Sequence, residues 1–279
     1  MKVVRIADVE RVDRPSFENY DDWLDQTWHG DKRELRPGRF LHHQADLKSE
    51  FEQSEFWLGV QRSLPMWEQD YAQENHHRLF SGTNPAPLNL KPWKSFLNKT
   101  WRENVKNNAN WPDAPNSGWV LPDTWFEKFW DIIRTRFTVN YLDGVSFLVE
   151  RIERHAKSLG LQVQVETKAK DTGYYAMHVR VPQEFKGLDL DYVGPELRTS
   201  EVEIQVTTAL QEMVDNLTHR HFERSRETMD PVRGPWQWDY RGAEFGVYYL
   251  GHVVHWVEGM IMAVRDTQIS SDGKDDIEA

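Results

Sequence analysis

The stretch DIIRTRFTVNY, Asp131 to Tyr141, decides the fold. Its residues alternate roughly as a strand, and a charged mouth (Asp131, Arg134, Arg136) leads into an apolar body. Directly after it, Asp143 to Leu159 carries Val145, Leu148, Val149, Ile152 and Ala156 at helical intervals, with Gly160 as the expected C-cap. Leu161, Val163 and Val165 then face one way in a second strand. A turn at Asp171-Thr172-Gly173 leads to a third strand, Tyr175 to Val181, and EVEIQVT, Glu201 to Thr207, is a fourth. The middle of the chain is therefore a sheet with one helical crossover.

Helices surround it. Asp46 to Asn75 reads helical, with Pro65 expected to break or kink it. Phe80 to Pro92 and Asn108 to Pro122 read as loops. Between them, Lys91 to Asn107 reads as a basic helix with Pro92 in its first turn. Lys91, Lys94, Ser95 and Lys99 would line one side of it. Ala209 to Arg226 is a long helix. Tyr240 to Arg265 is another, and its stripe of Tyr249, Val253, Trp256, Val257, Met260, Ile261 and Val264 is expected to pack on the protein's own core. No internal repeat is visible.

Composition narrows the chemistry. The 279 residues contain no Cys, which excludes disulfides, thiolate metal sites and Cys nucleophiles. Any metal must be held by Asp, Glu, His or carbonyl oxygen, a set that suits Mg²⁺ or Mn²⁺. The formal net charge of −11 argues against a general nucleic-acid coat. No apolar run approaches the ~20 residues of a membrane span, and Met1 to Asp8 lacks the apolar stretch of a signal peptide. A cytoplasmic protein is expected. Phosphate-loop, GxGxxG, HExxH and GxSxG patterns are all missing. His42-His43 with Asp46 is a weak metal-like cluster that reads better as a solvated helix start.

Charge on the strands is more informative. Glu201, Glu203 and Gln205 share one face of the fourth strand, while Val202, Ile204 and Val206 take the other. Lys168, Lys170 and Asp171 precede Gly173-Tyr174-Tyr175-Ala176-Met177-His178.

In this order these pieces resemble the synthetase domain of the RelA/SpoT family. The matching residues are Lys91, Ser95 and Lys99 in KPWKSFLNK, and Asp131 and Arg136 in DIIRTR. Lys170, Gly173, Tyr174 and His178 in KDTGYYAMH follow, then Glu203 to Gln205 in EIQVTT and a later His219. The resemblance covers about residues 85–226. It implies an α+β fold: a mixed sheet of about five strands flanked by helices, nucleotidyltransferase-like, with helical N- and C-terminal extensions. The expected division is 1–85 helical or irregular, 86–266 synthetase, and 267–279 an acidic disordered tail.

The resemblance also implies an activity, transfer of the β,γ-diphosphate of ATP to the 3′-hydroxyl of a purine nucleotide. Asp131 and Glu203 would hold Mg²⁺ (Mn²⁺ as the alternative), with Glu203 also the base. Lys91, Lys94, Ser95, Lys99 and Arg136 would bind ATP, Lys94 being placed by helix geometry alone. Lys170, Tyr174, His178 and Gln205 would bind the acceptor. Two places depart from the family, which commonly has Arg where this chain has Tyr175 and Thr207. Such arginines help hold acceptor phosphates. The GYYA form and YLGHVVHWVEGMI, Tyr249 to Ile261, resemble the toxic small-synthetase branch. Some of its members modify the 3′ CCA end of tRNA, and an antitoxin partner would follow. A tRNA acceptor would require a basic surface, for which His219 to Arg226, or Lys32-Arg33 with Arg36, are the candidates. A catalytically silent nucleotide-binding regulator is a further alternative, against which both carboxylates speak. No His-Asp dipeptide is present, so no hydrolase half is expected.

Overall fold

The central strand of the sheet is the last one made. In a computed structural model, described over residues 14–82, 84–186, 197–227 and 236–275, five strands run in the order β1-β2-β5-β4-β3. These are β1 (Asn89–Leu90), β2 (Ile133–Val139), β3 (Gln164–Ala169), β4 (Tyr175–Lys186) and β5 (Leu197–Thr208). β2 and β5 are parallel, and the remaining pairs are antiparallel, so the sheet is mixed as expected. The helices are α1 (Tyr20–Thr27), α2 (Pro37–Gln53), α3 (Glu55–Asn75), α4 (Trp93–Trp101), α5 (Trp125–Lys128), α6 (Leu142–Ser158), α7 (Ala209–Glu227) and α8 (Ala243–Asp275).

The chain divides into two compact units. One comprises residues 1–40 and 92–125. Its core is Tyr20, Leu24, Leu97, Trp101 and Val105. Trp23 stacks on Tyr20 at 5.4 Å and meets Trp119 edge-on at 5.1 Å. The buried Asn104 donates to Tyr20 Oη and the Val120 carbonyl and accepts from the Val120 amide. Every polar atom of that side chain is thus paired, which is what makes burying it tolerable.

The second unit comprises residues 41–91 and 126–279 and holds the sheet. Period-2 alternation gives the sheet two unlike faces. Ile133, Phe137, Val179, Val181, Val202, Ile204 and Val206 are buried. α6 packs on the sheet with Val145, Leu148, Val149, Ile152 and Ala156 buried. Its C-terminus closes as the sequence implies. Gly160 takes φ +73°, and the Leu161 amide donates back to the Ala156 carbonyl. α3 crosses α6 at Gly59, where an added Cβ would strike the His155 ring.

Several expectations shift. The long N-terminal helix breaks at Ser54, not Pro65. Ser54 Oγ caps α3 by accepting from the Trp57 amide at 3.1 Å. Pro65 sits exposed inside α3, so the carbonyl left without its amide partner lies on the solvent side. The basic helix starts at Trp93, because Pro92 is an extended N-cap and the residue before a proline is held extended. Lys91 is therefore not on the helix with Lys94 and Lys99. The second strand begins at Gln164 rather than Leu161.

α8 differs most from its reading. It runs to Asp275, through most of the segment read as a disordered tail, with no proline to stop it. Its apolar stripe does not pack inward: Val253, Trp256, Met260 and Val264 are between 49% and 66% exposed. The inward face instead carries Gly251, Glu258 and Arg265. Gly251 is required there, since a Cβ would collide with the Gly173 carbonyl. Glu258 bonds Thr208, and Arg265 Nη2 reaches Asp143 Oδ2 at 2.7 Å. Among the described residues no helix is long and apolar enough to cross a membrane.

Candidate active site

The polar face of the sheet is fixed by register. Arg134 pairs with Glu203, and Arg136 with Gln205, across the parallel β2–β5 ladder. His178 pairs with Gln205, and Arg180 with Glu203, across the antiparallel β4–β5 ladder. Residues opposite one another point the same way, so Arg134, Arg136, His178, Arg180, Glu203 and Gln205 share one face.

Glu203 is the centre, only 4% exposed. His178 Nδ1 lies 2.7 Å from Glu203 Oε1, and Gln205 Nε2 donates to Oε2 at 2.8 Å. Burial raises the carboxyl's pKa, but His178 and Gln205 outweigh it, and the net direction is below the ordinary range. The charge of Asp131 pushes the other way, which places Asp131 within electrostatic reach. The ring of His178 is held on its far side too, with Nε2 2.8 Å from the Tyr174 hydroxyl. Burial, then the charge of Asp215, raise the Tyr174 phenol, so it stays protonated.

Cations flank this centre. Lys91 Nζ contacts Asp131 Oδ2 at 2.7 Å. Arg136 donates to Gln205 Oε1 at 3.2 Å and to Asp215 Oδ2 at 3.3 Å, with Glu212 at 3.8 Å. The Lys170 ammonium lies 5.1 Å from the centre of the Tyr174 ring. Arg134 is exposed and has no hydrogen-bond or ion-pair partner among the described residues.

The turn before Tyr174 is built against α8. Gly173 takes φ +78°, and an added Cβ would strike the Tyr248 carbonyl. His252 Nε2 lies 3.0 Å from the Asp171 carbonyl, and its Nδ1 lies 2.8 Å from the Tyr175 hydroxyl. Tyr175 also stacks on His255 at 3.7 Å, and the Thr207 hydroxyl donates to the Tyr175 carbonyl. The two residues that stand where the family has arginines thus bond each other, and Tyr175 packs against α8.

Of the residues singled out in sequence, Lys91, Asp131, Arg136, Lys170, Tyr174, His178, Glu203 and Gln205 all lie in the sheet-bearing unit. Lys94, Ser95 and Lys99 lie on α4 in the other unit, Lys94 and Ser95 exposed. The side chains of His219 to Arg226 fall outside the described residues. Lys32 pairs with Asp25, and Arg33 with Asp31, so that candidate basic surface carries its own neutralising acids. His42 contacts Asp46 at 3.4 Å on α2, while His43 is buried against Phe126. Sequence reading missed Glu212 and Asp215. The signal was acids three apart on a helix entering from the sheet, which any amphipathic helix also shows.

No cluster of three or more metal-binding side chains occurs among the described residues. Mg²⁺ does not need one. It takes one or two carboxylates and completes its shell with water and substrate phosphate. Asp131 and Glu203 supply hard oxygens of that kind and fit the ion.

No protein-family model matches the sequence, and no curated protein matches it. Solved structures do. One is small alarmone synthetase 1 from Bacillus subtilis, described as bound to its product pppGpp. It is 15% identical, with TM-score 0.51 over 79% of this chain and 97% of that one. A second structure of that synthetase covers 86% of this chain and 100% of its own, again at 15% identity and TM-score 0.51. A GTP pyrophosphokinase family protein from Streptococcus pneumoniae is 16% identical, with TM-score 0.50 over 91% and 96%. The chain thus has the fold of the small alarmone synthetases.

Proposed function

We propose that this chain is an ATP-dependent pyrophosphokinase that moves the β,γ-diphosphate of ATP to the 3′-hydroxyl of a purine nucleotide. The observation that carries this reading is Glu203, a buried carboxylate held ionised by His178 and Gln205 on a face rich in cations. Such a group can accept a proton from a hydroxyl at neutral pH. Phosphoryl-type transfer otherwise demands positioning and charge neutralisation. Lys91, Arg134 and Arg136 supply positive charge to the polyphosphate; Ser95 and Lys99 are assigned to ATP by their motif, and Lys94 by helix geometry alone. Asp131 and Glu203 would hold Mg²⁺, which when bound offsets charge on the β- and γ-phosphates. Tyr174, kept neutral and braced by His178, offers its ring to the acceptor base. Lys170, His178 and Gln205 complete the acceptor side. The pppGpp named with a structural neighbour supports a nucleotide acceptor, and a cytoplasmic setting suits one.

A second reading, transfer to the 3′ CCA end of tRNA by a toxin with an antitoxin partner, draws on Tyr175 and Thr207. Neither side chain is cationic, and both are engaged within the protein, so neither offers an acceptor phosphate a positive charge. The paired state of Lys32 and Arg33 counts against one landing surface for it.

The test is transfer of label from the terminal phosphates of ATP, with Mg²⁺, to GDP, GTP, AMP, ADP, ATP and deacylated tRNA in parallel. Label on a free purine nucleotide is expected. Label on tRNA alone transfers the assignment to the second reading. No label anywhere, with ATP bound, removes both and leaves the silent regulator.

A further inference from the structure

Tyr174, assigned to the acceptor base, stands on the least supported part of the sheet. It ends the turn between β3 and β4, and β3 is the edge strand. The β3–β4 ladder stops at Ala169 with Tyr175, and β5 pairs with β4 only from Met177 onward. Within the turn, the Lys170 amide donates to the Tyr174 carbonyl at 3.0 Å and the Gly173 amide to the Lys170 carbonyl at 2.8 Å. A hairpin end with so few bonds opens at little cost unless something outside the sheet holds it.

One imidazole of α8 ties both ends of that turn. His252 Nε2 lies 3.0 Å from the Asp171 carbonyl, and Nδ1 lies 2.8 Å from the Tyr175 hydroxyl. A carbonyl only accepts, so Nε2 carries the proton and Nδ1 accepts from the hydroxyl. The neutral ring then uses both of its nitrogens. α8 comes this close because Gly251 meets Gly173 backbone to backbone, and a Cβ on either would strike the other. Consecutive residues entering a strand point to opposite faces. Tyr175 therefore turns to α8 as Tyr174 turns to His178 and the site. Gripping Tyr175 fixes the backbone that aims Tyr174.

We infer that His252 is a positioning residue for the acceptor, holding the Asp171 to Tyr175 turn so that Tyr174 presents its ring. This rests on the pyrophosphokinase reading. A base stack made equally before and during transfer changes KM and not kcat. The test pairs steady-state label transfer, with ATP and in turn GDP, GTP and AMP varied, with amide hydrogen exchange. His252→Leu is expected to raise the acceptor KM about tenfold and leave kcat and the KM of ATP within about twofold. It is also expected to speed exchange at Lys170 and Gly173 about tenfold and leave Val179 unchanged. His252→Gln, planar with one donor and one acceptor, is expected to recover most of both. Tyr175→Phe keeps the stacking on His255, loses one bond, and is expected to fall between. A wild-type acceptor KM in His252→Leu overturns the inference, as does a glutamine no better than the leucine. An equal rise in both KM values overturns it too, because that is general loosening. A wild type that labels no nucleotide removes the pyrophosphokinase reading instead, and exchange then judges the turn alone, unchanged rates in His252→Leu overturning the brace.

Discussion

Glu203 and Glu258 are the same residue type, buried to nearly the same extent at 4% and 5% exposure, and their carboxyls are shifted in opposite directions. Glu203 is pulled below the ordinary carboxyl range, and Glu258 is pushed above it. In both, burial is the largest influence and opposes ionisation. What separates them is the partners. Glu203 has a histidine nitrogen 2.7 Å from one oxygen and an amide donor on the other. At Glu258, burial wins over the contacts with Thr208, Gln211 and His255. Its histidine stands off at 3.5 Å, and Oε2 has no hydrogen bond among the described residues. Burial alone therefore does not decide the direction of a carboxyl's shift; the closeness of its partners does.

The largest expected break in the comparison is catalytic. Glu203→Gln keeps the shape and removes the base, and transfer should fall by about 10²–10⁴-fold with the fold intact by circular dichroism. Normal turnover in that variant would remove Glu203 from the mechanism. Next comes the other buried charge of α8. Arg265→Ala leaves Asp143 and Tyr71 without their cation and should cost about 3 kcal/mol, read as a fall of roughly 10 °C in Tm.

His178→Asn turns Glu203 toward the condition of Glu258. With burial less opposed, the folded-state pKa of Glu203 rises, and the acid limb of the transfer-rate profile should move to higher pH. The linked stability has a definite sign. A depressed carboxyl stabilises the fold above its unfolded value of 4.5, and that contribution disappears as pH falls through the lower folded value. Thermal melts of wild type and Glu203→Gln should therefore converge in acid, apart from the cost of the amide itself. The smallest effect is expected at Glu258. Its raised pKa means stability is present below the unfolded value and lost as pH rises through the folded one. Glu258→Gln should be more stable than wild type at neutral pH and little changed in acid, read as Tm at the two pH values. A Tm that drops at neutral pH would show that the ionised form is the one held.

This contrast also marks what sequence could reveal. Alternation on β5 set Glu203 and Gln205 on one face, and the motif order brought His178 and Tyr174 to the same sheet. Both follow from period-2 geometry and hydrophobic patterning, which are local properties. The outward turn of α8 was not legible, because a broad apolar stripe looks the same whether it meets its own core or another surface. Contacts such as Gly251 with Gly173 and Arg265 with Asp143 fix which side faces in, and those partners lie some eighty and more than a hundred residues away. Lys91 was misplaced for a local reason, the extended geometry that Pro92 imposes on it.

Strand order has a consequence for how the molecule is made. β5 is the last strand in the chain and sits between β2 and β4. Until it inserts, Arg134 and Arg136 have no ladder partner on that side, and His178 has no carboxylate. The pairing spans some seventy residues and includes a parallel ladder, the kind of closure that forms late and slowly. A nascent chain that has not yet released Thr208 from the ribosome already contains Lys91, Asp131, Arg136 and His178, yet has no site. Completion of the centre thus waits on the synthesis of β5.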